Sequence, residues 1–129
     1  RLVAAPFATH SQTFQRGESP FYMLGWGVST YDALYAMQAW GHTRTNGADG
    51  NFNFGKVSDA RLDELIQKIK FEPDVAARNA LIKEALLRIR DEFLFVPIHH
   101  QIRPWAMKPG VDTLHRSNDY FEARYTTIK

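Results

Sequence analysis

The stretch Phe21-Tyr22-Met23-Leu24-Gly25-Trp26-Gly27-Val28-Ser29-Thr30-Tyr31-Asp32 decides how the chain is read. Residues 21–24 form an aromatic and apolar run that suits a buried strand. Gly25 and Gly27 then flank Trp26. Glycine carries no Cβ, so another backbone or a ligand can come close to an indole placed between two of them. Ser29, Thr30 and Tyr31 supply hydroxyls behind the indole, and Asp32 supplies a carboxylate. An apolar plate with a few polar groups beside it is the usual makeup of a small-molecule site. In open α/β sheets such sites lie beyond the carboxyl ends of strands. The plainer reading of the same residues is a core tryptophan at a strand end, followed by a turn.

Working outward toward the N-terminus, residues 1–5 read as a short strand ended by Pro6. Residues 7–16 suit a helix, with Phe7, His10, Ser11 and Phe14 three and four apart, and Gly17 is a natural stop. Glu18-Ser19-Pro20 is a turn into the next strand. Strand, helix, strand is the pattern of a parallel βαβ unit.

Toward the C-terminus, residues 32–41 are apolar and aromatic, and Leu34, Met37 and Gly41 share a helical face. Residues 41–55 hold four glycines and three asparagines with almost no apolar periodicity, which makes them a loop. A loop of that length inside a domain is functional or mobile. Ser58 is the expected N-cap of the next helix, with Asp59 in its first turn. Leu62, Leu65, Ile66 and Ile69 form its i, i+3, i+4, i+7 stripe, and Glu64 and Lys68 an i,i+4 pair. Glu72-Pro73-Asp74 ends that helix and caps another, which carries Ile82, Ala85, Leu86, Ile89 and Phe93 on one side and runs to about residue 94. Residues 95–102, 105–107 and 121–128 have strand character, separated by turn signals at Lys108-Pro109-Gly110 and Arg116-Ser117-Asn118-Asp119.

Composition narrows the function classes. The chain has 129 residues, enough for one domain with a real core, and is 44% hydrophobic and 23% charged, as globular domains are. A net charge of +2 with no lysine or arginine cluster argues against a nucleic-acid partner. The absence of cysteine excludes disulfides and thiolate metal sites. No apolar run approaches the length of a membrane span. There is no GxGxxG, Walker A or GxSxG motif. His99 and His100 are adjacent and would point to opposite faces of a strand, which suits structural roles better than shared metal ligation. Asp63 and Glu64 sit on a helix face explained by solvent and Lys68. Nothing in the residues demands an enzyme, a metal or a cofactor. The chain opens on Arg1-Leu2-Val3-Ala4-Ala5-Pro6 and reads as a piece of something longer.

Five segments in order carry a resemblance: Gly25-Trp26-Gly27 with Ser29-Thr30; Asn53-Phe54-Gly55-Lys56-Val57-Ser58-Asp59-Ala60-Arg61-Leu62-Asp63-Glu64-Leu65-Ile66; Asp74, Arg78, Leu81 and Glu84-Ala85; Phe95-Val96-Pro97-Ile98-His99; and Trp105-Ala106 with His115-Arg116-Ser117-Asn118-Asp119. Their order and spacing resemble the C-terminal portion of the family 5 extracellular solute-binding proteins, the dipeptide, oligopeptide and nickel receptors of ABC importers. The resemblance implies an α/β fold class: the C-terminal lobe fragment of a two-lobed periplasmic-binding-protein fold (type II, mixed sheet with flanking helices). Residues 1–103 would be part of the ligand-binding lobe, and residues 104–129 a tail that returns to the other lobe.

What this implies for function is non-covalent capture of a peptide-like or other small solute, without a cofactor, by a periplasmic protein or cell-surface lipoprotein that delivers it to a membrane permease. The expected ligand contacts are Trp26, Gly27, Ser29, Thr30, Asp32, Phe7 and Asn53. Peptide-binding members often place an aspartate three residues after the tryptophan to hold an ammonium group. Ser29 stands there, and a hydroxyl cannot supply a charge-assisted bond of that strength. The alternative is a ligand-sensing module of a regulatory protein that uses the same receptor fold. Isolated from the other lobe, the tail's apolar side chains would favour self-association of the fragment.

Overall fold

The computed structural model describes residues 3–129. The chain divides into two compact units, Arg1–Val96 and Pro97–Lys129. Helices dominate the first and a small antiparallel ribbon marks the second, so the chain mixes helix and sheet.

In the first unit, helix α1 (Phe7–Gln15) buries Phe14 and stops at Arg16, where Gly17 takes a φ of 72°. Helix α2 (Ala33–Ala36) starts under Asp32, whose carboxylate accepts the Leu34 N–H at 2.9 Å. It continues as a π-helical turn, Met37–Gly41. Helix α3 (Ala60–Phe71) has Asp59 as its N-cap, accepting the Leu62 N–H at 2.8 Å, and Lys68 and Lys70 in its last turn, where cations suit the dipole. Helix α4 (Val75–Asp91) is capped by Asp74, which accepts the Ala77 N–H at 2.8 Å.

The core lies where α3 and α4 meet the π turn. Leu62, Leu65, Ile66 and Ile69 are fully buried against Met37, Ala85 and Ile89, with Ala33, Leu34, Trp40, Leu81, Ile82, Leu94 and Phe95 at the margin. Burying each Leu or Ile contributes about 1.5–3 kcal/mol relative to leaving it in water. A Cβ on Gly41 would touch the Leu62 and Ile66 methyls at 3.8 Å, so the π turn seats its backbone directly on the stripe. Arg88 of α4 reaches the α3 cap, with its Nε and Nη2 on the two Asp59 oxygens at 2.9 and 2.7 Å. On the outer face Arg61 bridges Glu64 and Glu84, while Lys68 meets Glu64 at 2.6 Å.

In the second unit, β1 (Val111–Asp112) pairs antiparallel with β2 (Thr127–Ile128), Val111 opposite Ile128. A 3-10 turn, Ala123–Tyr125, precedes β2. Asp119, at a φ of 60°, accepts from Trp105 Nε1 at 2.7 Å and Arg103 Nη1 at 2.9 Å. The Asp119 carboxyl is held below its ordinary range, first by the Trp105 N–H, against some burial, and then by Arg103 and His115.

Several expectations are corrected. Residues 3–5, 21–24, 95–102 and 105–107 join no ladder, and Arg1 and Leu2 of the first expected strand lie outside the described residues. The parallel βαβ unit is therefore absent from the described residues. Within residues 121–128 only Thr127–Ile128 pairs. A strand needs a neighbour to take its N–H and C=O groups, and an apolar run alone does not provide one. The cap of α3 is Asp59, one residue later than Ser58, because the carboxylate serves both the Leu62 N–H and Arg88. α4 ends at Asp91, and Phe93, expected on the core face, takes a φ of 52° and stands 82% exposed. Leu86, also expected inward, is exposed.

Candidate functional site

Trp26 sits at the head of a connected series of rings. Its indole lies 6.0 Å from Tyr35 of α2 and 5.0 Å, edge to face, from Phe52 of the 42–57 loop. Phe52 meets Phe54 at 6.1 Å, Phe54 meets Phe14 of α1 at 5.1 Å, and Phe14 stacks on Tyr22 at 4.8 Å. Two elements, α2 and the 42–57 loop, thus meet the tryptophan, and the loop's rings connect onward to α1. Pairs at these separations add about 0.5–1.5 kcal/mol each beyond area burial. The indole is partly buried, and its Nε1 is fully enclosed without a hydrogen-bond acceptor among the described residues. A buried donor in that condition carries a desolvation cost of about 1–3 kcal/mol. Tyr35 and Phe52 remain 43% exposed each, so the wall around the indole is half open.

The loop that delivers Phe52 is locally over-determined. Asn53 is buried; its Nδ2 donates to the His42 and Val57 carbonyls at 2.9 and 2.7 Å, and its Oδ1 accepts the Val57 N–H at 3.0 Å. Gly50 takes a φ of 69°, donates to Gln38 O at 2.8 Å and lies so close to His42 and Arg44 that a Cβ would collide with their backbone. Asp49 accepts from Gln38 at 2.6 Å and from Gln67 at 3.0 Å, with Lys70 at 3.5 Å. Burial raises the Asp49 carboxyl, but Gln38, Gln67, Lys70 and His42 outweigh it and leave the group below its usual value.

The expected site residues separate under this geometry. Trp26, Ser29 and Thr30 lie on one segment, with Ser29 partly buried and Thr30 Oγ1 accepting the Asp32 N–H at 3.3 Å. Tyr31 adopts a φ of 57°, in a turn closed by its N–H on Val28 O. Gly27 has open space where a Cβ would stand, so no close approach requires glycine there. Asp32 is committed elsewhere: both its oxygens take Arg78 Nη2, at 3.0 and 2.7 Å, besides capping α2. The Arg78 guanidinium holds the Asp32 carboxyl below the ordinary carboxylate range, against some burial, with help from the Leu34 N–H. Arg78 is itself anchored to Ile69 O at 3.2 Å. Asn53 is a loop bracket, its amide used up as described. Phe7 stands 70% exposed on α1 and takes no part in the series of rings.

Tyr35, Phe52 and Arg78 are the neighbours that sequence reasoning did not assign to the site. Phe52 lies in a Gly- and Asn-rich loop where periodicity says nothing, and the one available signal was an aromatic pair, Phe52 and Phe54, amid polar residues.

Elsewhere, an open concavity between α3 and α4 is floored by Phe71, Ala77, Ala80 and Leu81. Its charged rim is already paired, Glu64 with Arg61 and Lys68, Glu84 with Arg61, so it offers less chemistry than the Trp26 wall. Among the described residues no group of three or more His, Asp or Glu could hold a metal ion. His99 and His100 are exposed on irregular chain. No helix among the described residues is long and apolar enough to cross a membrane. No protein-family model, curated protein or solved structure matches the chain.

Proposed function

We propose that this chain is a C-terminal part of a solute-binding receptor of an ABC importer, as its resemblance to the family 5 extracellular solute-binding proteins implies. In this reading it works in the periplasm or at the cell surface, captures a peptide-like or other small solute without chemical change, and passes it to a membrane permease. The finer fold, one lobe of a two-lobed receptor, belongs to the same proposal. The observation that supports it is the Trp26 wall: an indole ringed by half-exposed Tyr35 and Phe52, with an unpaired N–H and the Ser29 and Thr30 hydroxyls just beyond. Apolar parts of a solute would lie on the rings, and its polar atoms would meet the Ser29 and Thr30 hydroxyls. Asp32, which caps α2 and pairs with Arg78, would have to give up that pair to hold an ammonium group.

The test is mass spectrometry of small molecules released from the purified protein, with Trp26→Ala and Trp26→Phe in parallel. Loss of the ring should cost about 2 kcal/mol or more, roughly 30-fold in affinity. The solute should vanish from Trp26→Ala, while Trp26→Phe, which keeps a ring but no N–H, retains part of it. A solute held equally by all three proteins refutes the assignment. So does a tryptophan variant that unfolds while no solute accompanies the parent protein.

A further inference from the structure

His42, Gln67 and Asp49 form a hydrogen-bonded chain whose polarity admits one arrangement. His42 is 7% exposed. Its Nδ1 lies 2.7 Å from Thr43 O, and a carbonyl only accepts, so Nδ1 carries the hydrogen. Its Nε2 lies 3.2 Å from Gln67 Nε2, and that same amide nitrogen lies 3.0 Å from Asp49 Oδ2. An ionised carboxylate also only accepts, so the Gln67 group between them is its NH2, and His42 Nε2 must present a lone pair.

A proton on Nε2 breaks this arrangement. It sets N–H against NH2, and if the Gln67 amide turns over to accept it, the amide oxygen then faces an Asp49 oxygen. One of the two contacts is lost either way. Asp49 does not rescue the chain by protonating with His42, because Gln38, Gln67 and Lys70 keep its carboxyl below its usual value despite burial. The charged groups facing His42 pull in both directions. From α3, Asp63 lies 3.5 Å from Nδ1 and draws the proton, and Lys70 opposes it; from the loop, Asp49 draws it, and the Arg44 guanidinium lies over Phe54.

We propose that the His42–Gln67–Asp49 chain is a proton-operated latch, which loosens the 42–57 loop from α3 when His42 takes up a proton. The loop's contact with α3 runs through Asp49, on Gln67 and Lys70, and through the Thr43 N–H, on Asp63 at 2.8 Å. Releasing Gln67 removes the nearer of the two contacts Asp49 makes with α3 and leaves it on Gln38 at 2.6 Å. Beyond Asp49 the loop is held to the π turn by the Gly50 N–H on Gln38 O at 2.8 Å and the Phe52 N–H on Ala39 O at 2.9 Å, the two bonds whose opening reports the loosening. The switching event is the protonation of His42 Nε2, which the His42 ring signals report directly. The latch stands apart from the solute reading, since it is read at loop amides and needs no ligand.

The experiment is amide hydrogen exchange by NMR, as protection factors for Gly50 and Phe52, at about pH 7.5 and pH 5, with the His42 ring followed in the same samples. In the parent protein both amides should lose protection roughly tenfold or more as His42 titrates, because a buried hydrogen bond to a charged group is broken. Asp49→Asn should abolish the loss. The amide it introduces can donate where the carboxylate could not, so the turned Gln67 amide accepts from both neighbours and fits the protonated ring. His42→Leu should also abolish it, although His10, His99, His100 and His115 remain in the chain. The latch is overturned if protection at Gly50 and Phe52 is unchanged through the His42 titration, if His42 does not titrate in this range, or if Asp49→Asn loses protection as much as the parent does.

Discussion

Replacing Gly50 by alanine should damage the loop that brings Phe52 to Trp26 far more than a single methyl suggests. The residue sits at a φ of 69°, where an L side chain costs about 1–2 kcal/mol. Its Cβ would stand 2.5 Å from His42 O and 2.7 and 2.8 Å from Arg44 Cα and N. These are backbone atoms, and no rotamer change moves them aside. The loop must shift, straining the Gly50 N–H bond to Gln38 O at 2.8 Å and the Asn53 N–H bond to Gly50 O at 2.9 Å. Each is worth about 0.5–1.5 kcal/mol net. Backbone strain and lost bonds together come to about 3 kcal/mol. Urea denaturation of Gly50→Ala beside Gly47→Ala measures this directly. Gly47 lies in the same loop, but a Cβ there would meet only Thr45 Oγ1, at an ordinary 3.6 Å, so its substitution should stay within about 1 kcal/mol of the parent. Equal effects at the two glycines, or a Gly50→Ala midpoint shift worth under about 1 kcal/mol, would refute the packing described for this loop.

Two further outcomes are expected. Asp59, which caps α3 and holds Arg88, has its folded carboxyl value lowered, chiefly by the Arg88 hydrogen bonds and against some burial. Its stabilisation is therefore present above the ordinary carboxylate range and lost as pH falls through the lowered folded value, so Asp59→Asn should flatten the acid side of the stability profile. An unchanged acid limb in urea titrations at several pH values would remove Asp59 from that role. The chain should also self-associate, because Phe21, Phe93, Ile102 and Ile128 are each more than 70% exposed. Sedimentation velocity over a concentration series should show a rising average coefficient, reduced when residues 104–129 are removed, and a constant monomer value would oppose it.

The helices were readable because their causes are local. Asp74 capping α4, the Leu62, Leu65, Ile66 and Ile69 stripe of α3, and Gly17 closing α1 are each written within a few residues of where they act. Even the shift of the α3 cap from Ser58 to Asp59 has a local half, the carboxylate on the Leu62 N–H, and a distant half, Arg88. The strand expectations failed for the opposite reason. Residues 21–24 and 95–102 have strand composition, but a ladder is a property of two segments, and the described residues supply a second only to Val111–Asp112. Composition can mark a run as suited to a sheet without placing the sheet.

The same division runs through the site. Trp26 stood out as a candidate because an indole between glycines, with hydroxyls after it, is unusual on its own segment. What surrounds it was not, since Tyr35 arrives on α2 and Phe52 on a loop without periodicity. Asp32 shows how much of a residue's surroundings its own segment leaves out. Its position behind the indole suggested a ligand contact, while the group that takes its charge, Arg78, lies 46 residues later on α4. Once that pair forms, the carboxylate anchors α2 to α4, and α2 in turn presents Tyr35 to the indole. Asp32 therefore shapes the Trp26 wall from behind, by fixing the helix that carries one of its rings. A ligand that needed the Asp32 charge for itself would have to displace Arg78 and undo the α2 cap to reach it.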